Sequence, residues 1–143
     1  MLLVKDLMSR EVLTVSPEDF PKDAFEKLKQ HHLNHLMVVN DQGQVVGMLS
    51  TWDFRPIINY LASGDLKSTN MSHVQLYNVG RVRDLMTPDP LFVSPELEVS
   101  EAARLMLEKN IHSLPVGSSQ KLEGIITHRD MLRAIAKQML HAH

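Results

Sequence analysis

The stretch Leu122-Glu123-Gly124-Ile125-Ile126-Thr127-His128-Arg129-Asp130 decides the fold, because it reads as an apolar strand that runs straight into the first turn of a helix. The same phrase stands earlier as Val45-Val46-Gly47-Met48-Leu49-Ser50-Thr51-Trp52-Asp53, and both Gly47 to Gly124 and Asp53 to Asp130 are offset by 77 residues. Working outward, Val4-Lys5-Asp6-Leu7-Met8 recurs as Val82-Arg83-Asp84-Leu85-Met86, and Leu36-Met37-Val38 as Leu114-Pro115-Val116, each 78 residues on. Chance similarity rarely keeps the order of several elements, so the chain is a duplicated unit.

Each unit reads as β-α-β-β-α. In the first, residues 12–15 suit a strand stopped by Ser16-Pro17. Phe20, Ala24, Phe25 and Leu28 then recur at helical spacing among charged residues, with Pro21 tolerable in the first turn. Leu36 to Val39 and Gln44 to Leu49 form a hairpin around Asn40-Asp41-Gln42-Gly43. A helix follows from Ser50 to about Leu61, with Phe54, Ile57, Ile58 and Leu61 on one side. Residues 62–80 carry helix stoppers and read as a connector. In the second unit, Leu91-Phe92-Val93 is a strand ended by Ser94-Pro95. Val99, Ala102, Ala103, Met106 and Leu107 form a helical stripe, and residues 111–116 and 122–126 pair. Met131, Leu132, Ile135, Ala136 and Met139 turn the last helix inward. The repeats therefore span 1–61 and 81–143, and two such halves are expected to pack as one module around an approximate internal twofold axis, with clefts where strand ends meet helix starts.

Composition narrows the function classes. With 143 residues, 43% hydrophobic and 22% charged, the chain has the profile of a globular domain able to bury a core. The 15 Lys+Arg and 17 Asp+Glu leave no broad basic field, so nucleic acid is disfavoured as a partner; Lys67 and Arg81-x-Arg83 make only a small basic segment. Absence of Cys excludes disulfides and thiolate chemistry. No apolar run has the length of a signal peptide core or membrane span, and a cytoplasmic location is expected.

On these residues the chain resembles a tandem pair of cystathionine-β-synthase (CBS)-type regulatory domains, a Bateman module. The motifs that carry the resemblance are the two opening segments, His112-Ser113-Leu114-Pro115-Val116, and Gly124 through Asp130, each with its counterpart in the other half. The resemblance implies an α/β (α+β) fold, a homodimer, and a regulatory role for an adenine nucleotide or related adenosyl ligand: AMP, ADP, ATP, NAD or S-adenosylmethionine. It also implies that Asp130 accepts from the ribose hydroxyls, with Thr127 near ribose or phosphate.

The residues themselves suit that role. Thr127 can cap orphan helix donors, Asp130 sits in the favourable first turn, and one carboxylate can accept from two vicinal hydroxyls. Arg129 and His128 adjoin the helix start and offer donors to a phosphate. Val93, Ser113, Leu114 and Pro115 would supply edges and an apolar wall for a purine. The first repeat offers a weaker site from Asp53, Ser50, Thr14, His35, Leu36 and Met37; there Trp52 replaces Arg129, removing a phosphate donor, and serves as cover, interface or stacking surface. Both Thr-x-x-Asp and Ser-x-x-Asp also read as plain capping arrangements.

The leading function is a stand-alone sensor that acts through a protein partner. A scaffold with an unused cleft is the alternative. Enzymatic turnover is disfavoured, because Ser16, Ser50 and Ser94 lie in no nucleophile elbow and no Gly-rich phosphate loop is present. His31, His32 and His35 lack a completing ligand and read as structural; His141 and His143 read as tail, and no metal is expected.

Overall fold

The structure is a computed structural model, and it describes residues 1–57, 75 and 77–138. In chain order the elements are α1 (Val4–Leu7), β1 (Thr14–Val15), α2 (Pro21–Gln30), β2 (His35–Val39), β3 (Val45–Ser50), a 3-10 turn (Thr51–Phe54) leading into helical residues 55–57, α3 (Val82–Leu85), β4 (Thr87–Pro88), α4 (Val99–Lys109), β5 (Ser113–Gly117), β6 (Leu122–Thr127) and α5 (His128–Ala136). This is the tandem βαββα arrangement expected of the repeat. Ile58, Leu61, Met139, the two tail histidines and most of the 62–80 connector lie outside the described residues.

Two compact units emerge, one of Leu13–Asp89 and one of Met1–Val12 with Pro90–His143. The first repeat's opening segment is thus part of the unit that holds the second repeat. In that unit Val4 N donates to Leu97 O at 2.8 Å and Lys5 N to Pro95 O at 3.0 Å. The unit holding the first repeat uses the second opening segment in the same way, with Val82 N donating to Asp19 O at 2.8 Å and Arg83 N to Pro17 O at 3.0 Å.

The Leu13–Asp89 unit has a sheet in the order β1-β2-β3-β4, with β1 and β2 parallel and the other neighbours antiparallel. Leu36, Val38, Leu49 and Val15 bury one sheet face against Ala24, Phe25 and Leu28 of α2 and against Phe54, Ile57 and Val82. Helix α2 forms because Pro21 needs no amide partner at the first position, while Asp23 near its start and Lys27 and Lys29 near its end suit the helix dipole.

The other unit pairs β5 with β6, flanked by single bridges, Val93 with Val116 (parallel) and Ser9 with Ile125 (antiparallel). The neighbour order and strand directions repeat those of the first sheet. Even the register shift recurs, at Val38/Val39 and at Val116/Gly117. Here Val4, Val93, Val99, Ala102, Met106, Leu114, Val116, Ile126 and Met131 form the buried cluster. Asn110, in the left-handed conformation at φ 53°, ends α4.

Several expectations need correction. The strand expected over 12–15 is only Thr14–Val15, and Leu91-Phe92-Val93 contributes a single bridge at Val93, because Pro17 and Pro95 follow closely and the partner strands are engaged for only one or two residues. Phe20 is exposed and stacks under Arg81 at 4.2 Å instead of joining the helix face, since it precedes the first helical residue. Leu107 is 83% exposed on α4. On α5 the inward residues are Met131 and Ala134, whereas Leu132, Ile135 and Ala136 are exposed. Each residue turns about 100° round a helix, so a stripe wider than the covered face leaves its flanks in solvent.

Candidate functional site

The junction of β6 and α5 is built by a reciprocal cap. Thr127 Oγ1 accepts from Asp130 N at 3.3 Å, while Asp130 Oδ2 accepts from Thr127 N at 2.8 Å and from Thr127 Oγ1 at 3.1 Å. Such a box satisfies orphan donors at a helix start and holds the carboxylate in one rotamer. The other oxygen, Oδ1, lies 3.3 Å from the Arg133 guanidinium. The Asp130 side chain is 14% exposed and Arg133's is 56% exposed, so the carboxylate is mostly covered but keeps acceptor positions to spare. Arg133 escaped the sequence reading, although its spacing of three from Asp130 on a helix was a usable signal.

Basic residues also stand at this helix start. His128 and Arg129 are exposed on the first turn of α5, and His112 is exposed just before β5. His128 N donates to His112 O at 3.0 Å, and the two rings lie 5.1 Å apart.

Strand alternation sorts the remaining candidates into two sets. Leu114 and Val93 belong to the buried cluster, so their side chains stabilise the unit. The Val93 backbone is also engaged: its amide donates to Pro115 O at 3.0 Å, and its carbonyl accepts from Gly117 N at 2.9 Å. Ser113 and Pro115 alternate with Leu114 and face the other side of β5, across from Thr127 and Ile125. Phe92, half-buried and adjacent to Val93, takes the place that Thr14 has in the first repeat. The sequence reading missed it.

The first-repeat residues form a similar but less charged arrangement. Asp53 Oδ2 accepts from Ser50 N at 2.7 Å and lies 3.4 Å from Ser50 Oγ, and Thr51 N donates to Asn34 O at 3.0 Å. Thr14 pairs with Met37, and His35 with Ser50, on the sheet face opposite the buried Leu36 and Val38. Trp52 is half exposed and carries the Arg55 guanidinium 4.4 Å over its ring.

Among the described residues no group of three or more His, Cys, Asp or Glu is placed to hold a metal ion. Among them, too, no helix is long and apolar enough to cross a membrane. In the small basic segment, Arg81 stacks on Phe20 and Arg83 pairs with Glu18, which raises the Arg83 pKa through that hydrogen bond and charge.

The family model for the CBS domain matches residues 4–59 and 82–137. Among solved structures, the CBS domain pair of protein MJ0100 in complex with 5′-methylthioadenosine and S-adenosyl-L-methionine is 26% identical, with a TM-score of 0.76, over 96% of this chain and 98% of that one. CBSX2 in complex with AMP is 30% identical, with a TM-score of 0.75, over 97% of this chain and 99% of that one. L-aspartate semialdehyde sulfurtransferase of Methanosarcina acetivorans is 31% identical over 95% of this chain, which is 24% of that protein. The chain spans 61%, 24% and 32% of three curated relatives that it matches.

Proposed function

This chain belongs to the CBS domain family, and from that membership we propose that it is a regulatory sensor whose second repeat holds an adenosyl ligand at the junction of β6 and α5. The observation that carries the reading is the part-buried Asp130 carboxylate, fixed by its cap with Oδ1 turned toward Arg133. A ribose offers two vicinal hydroxyls to such a group. Thr127, His128 and Arg129 surround the same helix start, and Ser113 and Pro115 share a sheet face with Thr127. Two relatives of the same fold, MJ0100 and CBSX2, were solved with S-adenosyl-L-methionine, 5′-methylthioadenosine or AMP, which supports an adenosyl compound as the ligand class.

The first repeat is a weaker site of the same kind, built on Asp53 and Ser50 with His35, Met37 and Thr14. Regulation follows if the ligand binds two arrangements of the protein with different affinity and so biases a protein partner. A homodimer would give the exposed Leu132 and Ile135 of α5 a cover. This reading assigns the chain no chemical turnover.

Isothermal titration with AMP, ADP, ATP, NAD, S-adenosylmethionine and 5′-methylthioadenosine tests it. At least one should bind, and Asp130→Asn should weaken it by roughly 10- to 100-fold, the value of a hydrogen bond to a charged group. Absence of binding throughout the panel favours the scaffold alternative.

A further inference from the structure

The unit that holds the second repeat leaves apolar side chains bare on two helices that pack against each other. Leu107 on α4 is 83% exposed, and Leu132 and Ile135 on α5 are 59% and 52% exposed. Leu132 and Ile135 are three residues apart, about 60° round the helix, so they share one flank. The duplication supplies a control for what the fold itself requires. Lys29 stands 78 residues before Leu107, and Arg55 stands 77 before Leu132. Those positions of the first repeat are cationic, and both charges are engaged within their own unit. Lys29 Nζ lies 3.4 Å from Glu26 and 5.0 Å from the centre of the Phe25 ring, while the Arg55 guanidinium lies 4.4 Å over Trp52. The exposed aromatics of that unit, Phe20 and Trp52, each carry an arginine. Leu107, Leu132 and Ile135 instead stand open to solvent.

Resting on the homodimer in the reading above, we infer that two copies join through α4 and α5, each second repeat against its own counterpart and not against the other copy's first repeat. A twofold contact of this kind presents one patch to itself, and an apolar patch is complementary to itself. The head-to-tail arrangement would press Leu107 and Leu132 on Lys29 and Arg55, whose charges would lose water without gaining a partner.

The flanking charges select the same arrangement. On α5, the exposed Arg129, Arg133 and Lys137 outnumber Asp130, so this helix would repel Lys29 and Arg55. On α4 the signs balance, with Glu101 paired to Arg104 and Glu108 followed by Lys109. Laying α4 of one copy across α5 of the other therefore meets no excess of like charge.

The test is sedimentation equilibrium of the full chain over a concentration series, comparing the wild type with two double variants whose folding is verified by thermal melting. Leu107→Glu, Leu132→Glu places like charges on the patch; Lys29→Glu, Arg55→Glu reverses the matching cations of the first repeat. The wild type should be dimeric, and the first variant should raise the dimer dissociation constant at least ~100-fold. The second variant should leave it nearly unchanged. Head-to-tail copies would instead set the glutamates of the first variant against Lys29 and Arg55, and the dimer would hold or tighten; that result overturns the inference, as does dissociation by the second variant alone. A second measurement stands even if a double variant unfolds. The chain has no Cys, so Leu107→Cys, Leu132→Cys and Arg55→Cys each carry a single thiol. A short bismaleimide should join Leu107→Cys chains to Leu132→Cys chains and not to Arg55→Cys chains. Joining to Arg55→Cys chains, or to neither, overturns the inference. A monomeric wild type removes it together with the homodimer, while the adenosyl site is judged by its own titration.

Discussion

Asp130 serves structure before it serves any ligand. Its carboxylate closes the cap at the start of α5, so Thr127→Ala, which removes the reciprocal hydroxyl, should cost about 1 kcal/mol in urea denaturation. A second residue-scale prediction concerns the repeated glycines. A Cβ on Gly124 would stand 2.6 Å from the Ser9 carbonyl oxygen, whereas one on Gly47 would first meet the Met86 sulfur at 2.4 Å. Backbone cannot yield as a thioether side chain can, so Gly124→Ala should destabilise by roughly 1–3 kcal/mol and Gly47→Ala by less. Equal losses in thermal melts would contradict this account. Both glycines were legible as repeat markers, but the reason for them was not, because the opposing Met8-Ser9 and Met86-Thr87 segments are distant in sequence. The cap was legible in full, since Thr-x-x-Asp acts within one turn. Arg133 and the sorting of Leu114 from Pro115 required the helix contact and the strand register.

At the scale of elements, the Leu13–Asp89 unit is locked by an aromatic cluster. Phe25 and Phe54 have centroids 5.0 Å apart, and Tyr77 meets them edge-on at 6.2 and 6.3 Å. Phe54 is fully buried, so Phe54→Ala should cost about 3–5 kcal/mol. Burial, helped by Glu26 and Asp23, holds the Tyr77 pKa above its usual 10.0. A raised phenol pKa means that the unfolded chain loses its proton first as pH rises. The associated stability is therefore present below pH ~10 and lost above it. Melting temperature should drop above that pH less steeply in Tyr77→Phe than in the wild type. Helices were legible because their apolar periodicity is long, but the width of the buried face was not. Ala134 is buried while Leu132 and Ile135 are exposed, since what covers a helix is decided by its neighbours. Short strands failed for a related reason: a one-residue bridge at Val93 leaves almost no pattern in sequence.

At the scale of the whole molecule, duplication was plain in the sequence, whereas the exchange of opening segments between units depends on contacts between residues far apart in the chain, such as Val82 with Asp19 and Val4 with Leu97. Removing residues 1–9 would take the fully buried Val4 and the paired Ser9–Ile125 bonds out of the second-repeat unit. Amide exchange should then quicken at Ile125 and Val93 and change little at Leu36 and Val38; a uniform loss of protection would contradict this division. The regulatory reading depends on a ligand held through its sugar by a carboxylate that the fold has already positioned. The most direct measurement is a crystal structure of the chain grown with AMP. The account predicts ribose hydroxyls within about 3 Å of the Asp130 carboxylate, with the phosphate toward His128 and Arg129. A nucleotide bound elsewhere, with Asp130 touching only Thr127 and Arg133, would contradict it.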